Sequence, residues 1–265
     1  MHFLRRILQH PLANNLDLDS PTAPLIHRQI IQSKPFLQAI YREWRRRLFS
    51  ELSTCGTPIL EIGAGAGFQT VSEGANFSSD LVFIPPLDLV CDAHSLPVAR
   101  GSLAGIFGLN VLHHLTEPKI FLSSVQFTLQ PGGILALIEP WQTPWSQWVY
   151  THLHHEPYNP NTIDWQQLHG GPLSSANGAL PWIIFERDRA IFTCLFPDLQ
   201  IEKIQPFMPL AYLLSGGVSM RSLLPGWAYP IIRWFEKYLE PYQAMFALII
   251  LRKVDARSPG ESADA

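Results

Sequence analysis

A run of glycines and three acidic residues carry the most specific chemistry in this sequence. Pro58-Ile59-Leu60-Glu61-Ile62-Gly63-Ala64-Gly65-Ala66-Gly67 reads as a buried strand that ends in a glycine turn and opens a helix. Gly63 stands where the backbone needs an angle that other residues resist, and Gly65 and Gly67 let a ligand and the next helix approach. Asp80 lies nineteen residues beyond Glu61, near the spacing of an acid that accepts ribose hydroxyls. Asp92 follows a later strand and can address an adenine edge. Both aspartates would also serve as turn or cap residues. Glu61, at the tip of the first strand, would repel a pyrophosphate and attract an amino group. The pattern therefore describes a cradle for a cationic, nucleoside-bearing cofactor more than for NAD or FAD.

A second group of residues can move protons. His113 and His114 follow the fourth strand, and imidazole titrates near neutrality. Either could accept a proton from a hydroxyl or amine, or simply cap or pack. His152, His154, His155 and Glu156 form HxHHE. On a helix His154 points away from the others, so the spacing argues against a metal site and leaves substrate lining, a base or packing. Tyr150 and Glu139 are further residues able to orient an acceptor.

These residues need a layered scaffold. Strands are expected at 59–62, ending at 80, at 87–91, at 103–110 and at 134–139, with a helix at 117–129 and a turn at Pro131-Gly132-Gly133. Such continuous apolar strands belong to a sheet covered on both faces. Only about six residues separate Asp80 from the strand at Leu87, too few for the usual crossover helix, and Pro85-Pro86 stands there instead. Later, 186–195 and 227–239 read as helices, and 199–204 and 244–253 as an antiparallel pair of strands. Before the sheet, 11–30 reads as surface wrapping and 35–52 as an amphipathic helix with Phe36, Ile40, Trp44 and Leu48 every fourth residue. The organisation expected is an N-terminal helical segment and cover at 1–53, a main domain at 54–256, and a disordered tail at 257–265.

Residues 141–185 contain no Lys or Arg but hold Trp141, Trp145, Trp148, Trp165 and Trp182 and four histidines. This insertion is expected to form an aromatic substrate cover or, nearly as well, to be buried as structure.

Bulk composition excludes several classes of function. The formal net charge of −3 argues against a protein that neutralises nucleic-acid phosphates. The three cysteines, Cys55, Cys91 and Cys194, form no CxxC, which fits a reducing, cytoplasmic setting. The opening MHFLRRILQHP is too short for a signal peptide, and no apolar run is long enough to span a bilayer. Residues 1–53 carry eight Arg or Lys against four Asp or Glu. That surplus is either a solvated helix face or a weak contact with a membrane surface, a protein or a substrate carboxylate.

Five separate pieces resemble class I S-adenosylmethionine-dependent methyltransferases of the small-molecule, type 11 kind. They are LEIGAGAG at 60–67, Asp80, DAHSLP at 92–97, LNVLHHL at 109–115 and LQPGGILALIEP at 129–140, in matching order and spacing. The resemblance implies a doubly wound, Rossmann-like α/β fold of seven strands with the last antiparallel, and S-adenosylmethionine as cofactor. It implies that Glu61 lies near the methionine amino group and that Gly63, Ala64, Gly65 and Gly67 run beneath the methionine and ribose. Asp80 would hold the ribose, Asp92 and Ala93 the adenine, and Asn110 and Val111 would close over the methyl donor. The function it implies is methyl transfer to the O, N or C atom of a small molecule. The alternative is a silent homologue acting through a protein partner. A nicotinamide enzyme ranks below both, and nucleic-acid methylation lower still.

Overall fold

The computed structural model describes residues 8–14, 16–65, 77–153, 156–167, 171, 174–240 and 242–254. Its centre is a seven-stranded sheet. In chain order the strands are β1 (Ile59–Ile62), β2 (Phe77–Asp80), β3 (Leu89–Val90), β4 (Leu103–Leu109), β5 (Leu129–Pro140), β6 (Leu199–Phe207) and β7 (Phe246–Lys253). They lie in the order β3-β2-β1-β4-β5-β7-β6. The first five are parallel, and β7 runs antiparallel to both β5 and β6. The doubly wound α/β class with antiparallel pairing at the end is what the sequence predicts.

The sheet is continuous because its central strands are apolar on both faces. Ile106, Phe107, Leu135, Ala136, Leu137, Ile138, Ile249 and Leu251 are all buried. Alternate side chains feed two cores. One contains Leu60, Ile62, Phe121, Leu122, Phe185 and Phe192. The other contains Phe36, Ile40, Trp44, Leu48, Phe107 and Phe246.

Helices follow from their apolar stripes. In chain order they are α1 (Ala23–Gln32), α2 (Pro35–Leu52), α3 (Pro118–Thr128) and α4 (Pro144–His152). α2 has the bounds that the four-residue spacing predicts, and Phe36, Ile40, Trp44 and Leu48 are fully buried. Its C-terminal turn lies close against β4. A side chain on Gly105 would come within 2.8 Å of Leu52 Cδ2 and 3.1 Å of Cys55 Sγ, which explains a glycine inside that strand.

Several boundaries differ from expectation. Residues 11–30 are not only surface wrapping, because Ala23–Gln32 is a helix that buries Ala23, Ile30 and Ile31. β3 shrinks to Leu89–Val90, since the segment before it passes through Pro85-Pro86 and proline cannot donate to a ladder. No helix stands between β2 and β3. The Pro131-Gly132-Gly133 turn lies inside β5, because Leu129 already pairs with Leu103 before a shift of register. The expected 186–195 helix begins at Leu180–Trp182, continues through a π-helical turn at Ile183–Arg187 and ends as α5 (Arg189–Leu195). Burial of Ile183, Ile184 and Phe185 extends it backward.

A short α6 (Ala211–Ser215) and then α7 (Tyr229–Glu236), entered through a 3-10 turn at Gly226–Ala228, complete the helices named here. α7 stops before the expected residue 239. It is turned inside out: Arg233 and Glu236 are buried while Ile231, Trp234 and Phe235 are exposed. Glu43 explains this inversion. The Arg233 guanidinium donates to Glu43 Oε1 at 2.9 Å and to Glu240 at 2.8 Å, and also to Glu236. The helix expected after the glycine turn and the tail beyond residue 254 lie outside the described residues.

Candidate active site

The glycine turn is sewn to the end of β2. Gly63 adopts φ +57°, and a side chain there would meet Val111 Cγ2 at 2.4 Å. Ala64 N–H donates to Ser79 O at 2.9 Å, and Gly65 N–H donates to Asp80 Oδ2 at 2.6 Å. Asp80 thus shapes the turn while its carboxylate lines the cavity above it. Gly67 lies outside the described residues. On the next strand end, Asp92 Oδ1 accepts from His94 N–H at 2.9 Å and from His94 Nδ1 at 2.5 Å. His94 Nε2 accepts from Glu117 N–H, so this imidazole is the Nδ1–H tautomer. Ala93 also lines the cavity.

Glu61 has a partner that the sequence reading missed. Arg45 Nη1 donates to Glu61 Oε1 at 2.8 Å, with both side chains buried. The guanidinium also lies over the Phe49 and Phe107 rings, at 5.4 and 5.7 Å from their centres. A signal was available, because Arg45 falls on the helical line of Leu37, Leu48 and Leu52. An arginine on a buried stripe requires a carboxylate. The rest of the basic run divides: Arg47 pairs with Glu43, while Arg42 and Arg46 face solvent.

The turn after β4 is held by one buried carboxylate. Glu139 Oε1 accepts from the N–H groups of Val111 and Leu112, both at 2.8 Å, and Oε2 accepts from His113 Nδ1 at 2.7 Å. Glu139 is fully buried and does not line the cavity, so it orients the turn and not the acceptor. Asn110, just before the turn, adopts φ +55°, an angle asparagine tolerates better than most residues. Its Oδ1 is buried with no hydrogen-bond partner, and the residue lines the cavity.

The adjacent histidines differ in charge. Burial pushes His113 down, but the carboxylates of Glu139 and Glu156 outweigh it and raise it to about 9. His113 therefore holds its proton more tightly than a free imidazole does. His114 is lowered by burial and by the charge of His113. Its Nδ1 donates to Ser175 O at 2.8 Å, which leaves the lone pair on Nε2. This ring keeps a lone pair with which to take a proton or a metal ion.

One cavity of about 460 Å³ joins Glu61, Gly63, Asp80, Asp92, Asn110, His113 and His114, a size that suits a small organic ligand. Its far side carries Tyr41, Tyr150, Tyr158, Tyr212 and Phe246, with Glu156 among them. The insertion at 141–185 contributes to this wall, but its tryptophans do not. Trp141 and Trp165 are buried in a core, Trp145 donates to Pro209 O, and Trp148 is exposed. The walls from 18–31 and 212–220 were not foreseen. The Tyr150 hydroxyl donates to Met245 O at 2.7 Å, and burial raises its pKa well above that of free tyrosine. His152 bonds to Trp148 O and stacks on its ring. His154 and His155 lie outside the described residues.

A family model described as a methyltransferase domain matches residues 60–137, from β1 through most of β5. Over that stretch the chain is similar to methyltransferase domains. Solved structures share its fold. Geranyl diphosphate C-methyltransferase from Streptomyces coelicolor A3(2), with Mg2+, geranyl-S-thiolodiphosphate and S-adenosyl-L-homocysteine, is 13% identical with a TM-score of 0.51, covering 90% of this chain and 83% of that one. The same enzyme with Mg2+, geranyl diphosphate and S-adenosyl-L-homocysteine is 12% identical with a TM-score of 0.50, covering 93% and 89%. No curated protein matches. The residues of the matched stretch fit S-adenosylmethionine: a turn too close to Val111 for any side chain, a carboxylate at the next strand end, and the unpartnered oxygen of Asn110.

Proposed function

We propose that this protein transfers a methyl group from S-adenosylmethionine to a small-molecule acceptor. The observation that carries the reading is continuity. The donor cradle at Gly63, Asp80 and Asn110 and the cluster of His113, His114 and Glu156 line one cavity with apolar and tyrosine walls.

Bound S-adenosylmethionine supplies a methyl group on a positively charged sulfur. Asp80 is assigned to the ribose hydroxyls, and Asp92 and Ala93 to the adenine. Asn110 Oδ1, buried and unpartnered, is assigned as acceptor for a donor group of the cofactor. The Arg45–Glu61 pair balances charge beneath the methionine end. The tyrosine walls exclude water and hold the acceptor in line, which supplies most of the acceleration such a transfer needs. Activation of the acceptor falls to the His113, His114 and Glu156 cluster, where His114 keeps a lone pair on Nε2.

No helix among the described residues is long and apolar enough to cross a membrane. The free cysteines support a reducing, cytoplasmic setting. Of the basic helix face, Arg42 and Arg46 remain for a protein or headgroup contact.

Calorimetric titration with S-adenosylmethionine, S-adenosylhomocysteine and NAD tests the reading. Saturable binding of the two sulfur nucleosides and none of NAD is expected. Absence of heat with all three would overturn it.

A further inference from the structure

We propose that His113, His114 and Glu156 form a binding site for a divalent transition-metal ion of the zinc type, open toward the acceptor side of the cavity. One nitrogen from each ring and one oxygen of Glu156 lie within 4.8 Å of one another. The outer contacts are those of a metal centre. His113 Nδ1 is held by the Glu139 carboxylate and His114 Nδ1 by the Ser175 carbonyl. Ligating histidines are oriented in this way, by a carboxylate or carbonyl on the ring nitrogen that does not bind. Each ring is therefore left with Nε2 as its coordinating atom, and at His113 the ion displaces the Nε2 proton, which leaves to solvent.

Spacing supports the same reading. His113 Nε2 lies 3.7 Å from Glu156 Oε2, too long for a hydrogen bond. Two ligands of a tetrahedral ion at ordinary zinc distances stand about 3.3 Å apart. A shift of a few tenths of an ångström brings this pair to that spacing. Charge also balances, since Glu139 and Glu156 together offset a doubly charged ion. Two imidazoles with one carboxylate select zinc-class ions over Mg2+ or Ca2+, which prefer all-oxygen sets. Three protein ligands leave a coordination position open, as in zinc sites that bind substrate. An acceptor oxygen from the cavity can fill it.

The position of the ion beside the transferable methyl rests on the methyltransferase reading above, but metal binding does not. The test is therefore run without cofactor. Chelator-treated full-length protein is titrated calorimetrically with Zn2+, and its visible spectrum is recorded with Co2+. One ion per chain is expected, with tetrahedral Co2+ bands and no competition from Mg2+. His114→Ala and Glu156→Gln should each weaken binding by more than the about 10- to 100-fold that loss of an outer partner costs. Glu156 is partly exposed, so its variant keeps the test valid if the histidine variant fails to fold. S-adenosylhomocysteine affinity, measured in parallel, should stay unchanged in both. No saturable Zn2+ binding, or equal binding by the Glu156 variant, overturns the metal site. Loss of S-adenosylhomocysteine binding by the wild-type protein would instead sink the donor reading.

Discussion

Arg45, in the middle of α2, reaches Glu61 at the end of β1 across 2.8 Å, with both side chains buried. The pair ties an element outside the matched stretch to the floor of the donor cradle. Removing the guanidinium leaves a buried carboxylate without the cation that faces it. Arg45→Met should therefore destabilise the protein by about 3 kcal/mol or more. Urea denaturation measures this, and Arg45→Met combined with Glu61→Leu should recover most of the loss. A single variant as stable as the wild type would show that the pair contributes nothing.

Asp80→Asn keeps an acceptor oxygen for Gly65 N–H but removes the charge that the ribose hydroxyls would meet. Hydrogen bonds to charged groups are worth about 1.5–3 kcal/mol, so S-adenosylhomocysteine affinity should fall by about 10- to 100-fold. The melting temperature should barely move. Unchanged affinity would remove Asp80 from the ribose contact.

Much of this site was legible before any coordinates. The glycine turn, Asp80, Asp92 and the pair of histidines are fixed by local geometry: a strand, a tight turn and groups at strand ends. Likewise a sheet covered on both faces follows from its continuous apolar strands. Arg45 was hidden because a run of arginines looks solvated until one helical line is traced through it. Glu139 looked like a cavity residue because its sequence neighbours say nothing about which side of a strand end it faces. The tryptophans of 141–185 illustrate the same limit. Aromatic content shows that a segment is buried against something, while tertiary packing decides whether that is a core or a ligand. The wall at 212–220 comes from a distant part of the chain, and no local pattern announces it.

Tyr150→Phe separates scaffold from chemistry. The hydroxyl donates to Met245 O, so its loss should cost about 1 kcal/mol of stability. The kcat should remain of the same order, once an acceptor is in hand. A collapse of kcat with intact stability would return Tyr150 to a catalytic role.

Acid sensitivity should trace to Glu43. Burial pushes this carboxyl up, but the hydrogen bonds and charge of Arg233, with help from Tyr229 and Arg47, hold it at about 2. A carboxyl depressed in the folded state stabilises fully above its unfolded value of about 4.3 and loses that contribution as pH falls toward 2. The contribution is about 2 kcal/mol once partial solvent screening is allowed for. The stability gap between wild type and Glu43→Gln, measured by urea denaturation, should narrow as pH drops from 5 to 2.5. A gap that is constant across that range would contradict the assignment.

Gly63→Ala tests the cradle directly. The added methyl would lie 2.4 Å from Val111 Cγ2 on a backbone at φ +57°, and the left-handed angle alone costs about 1–2 kcal/mol. S-adenosylhomocysteine binding should be lost. Trimming Val111 to Ala in the same chain should restore it only in part, and full recovery would mean that space alone requires the glycine.

β7 lies between β5 and β6 although it is made last. During synthesis β5 is complete at Pro140 and β6 at Phe207, yet neither has its shared neighbour until Phe246–Lys253 leaves the ribosome. Through that interval the nascent chain leaves open the two strand edges that β7 later covers, each a template for the wrong partner. The final strand is thus a keystone. A chain broken off before Phe246 would contain every residue assigned here to the donor cradle and the histidine cluster, and still have no closed sheet on which to hold them.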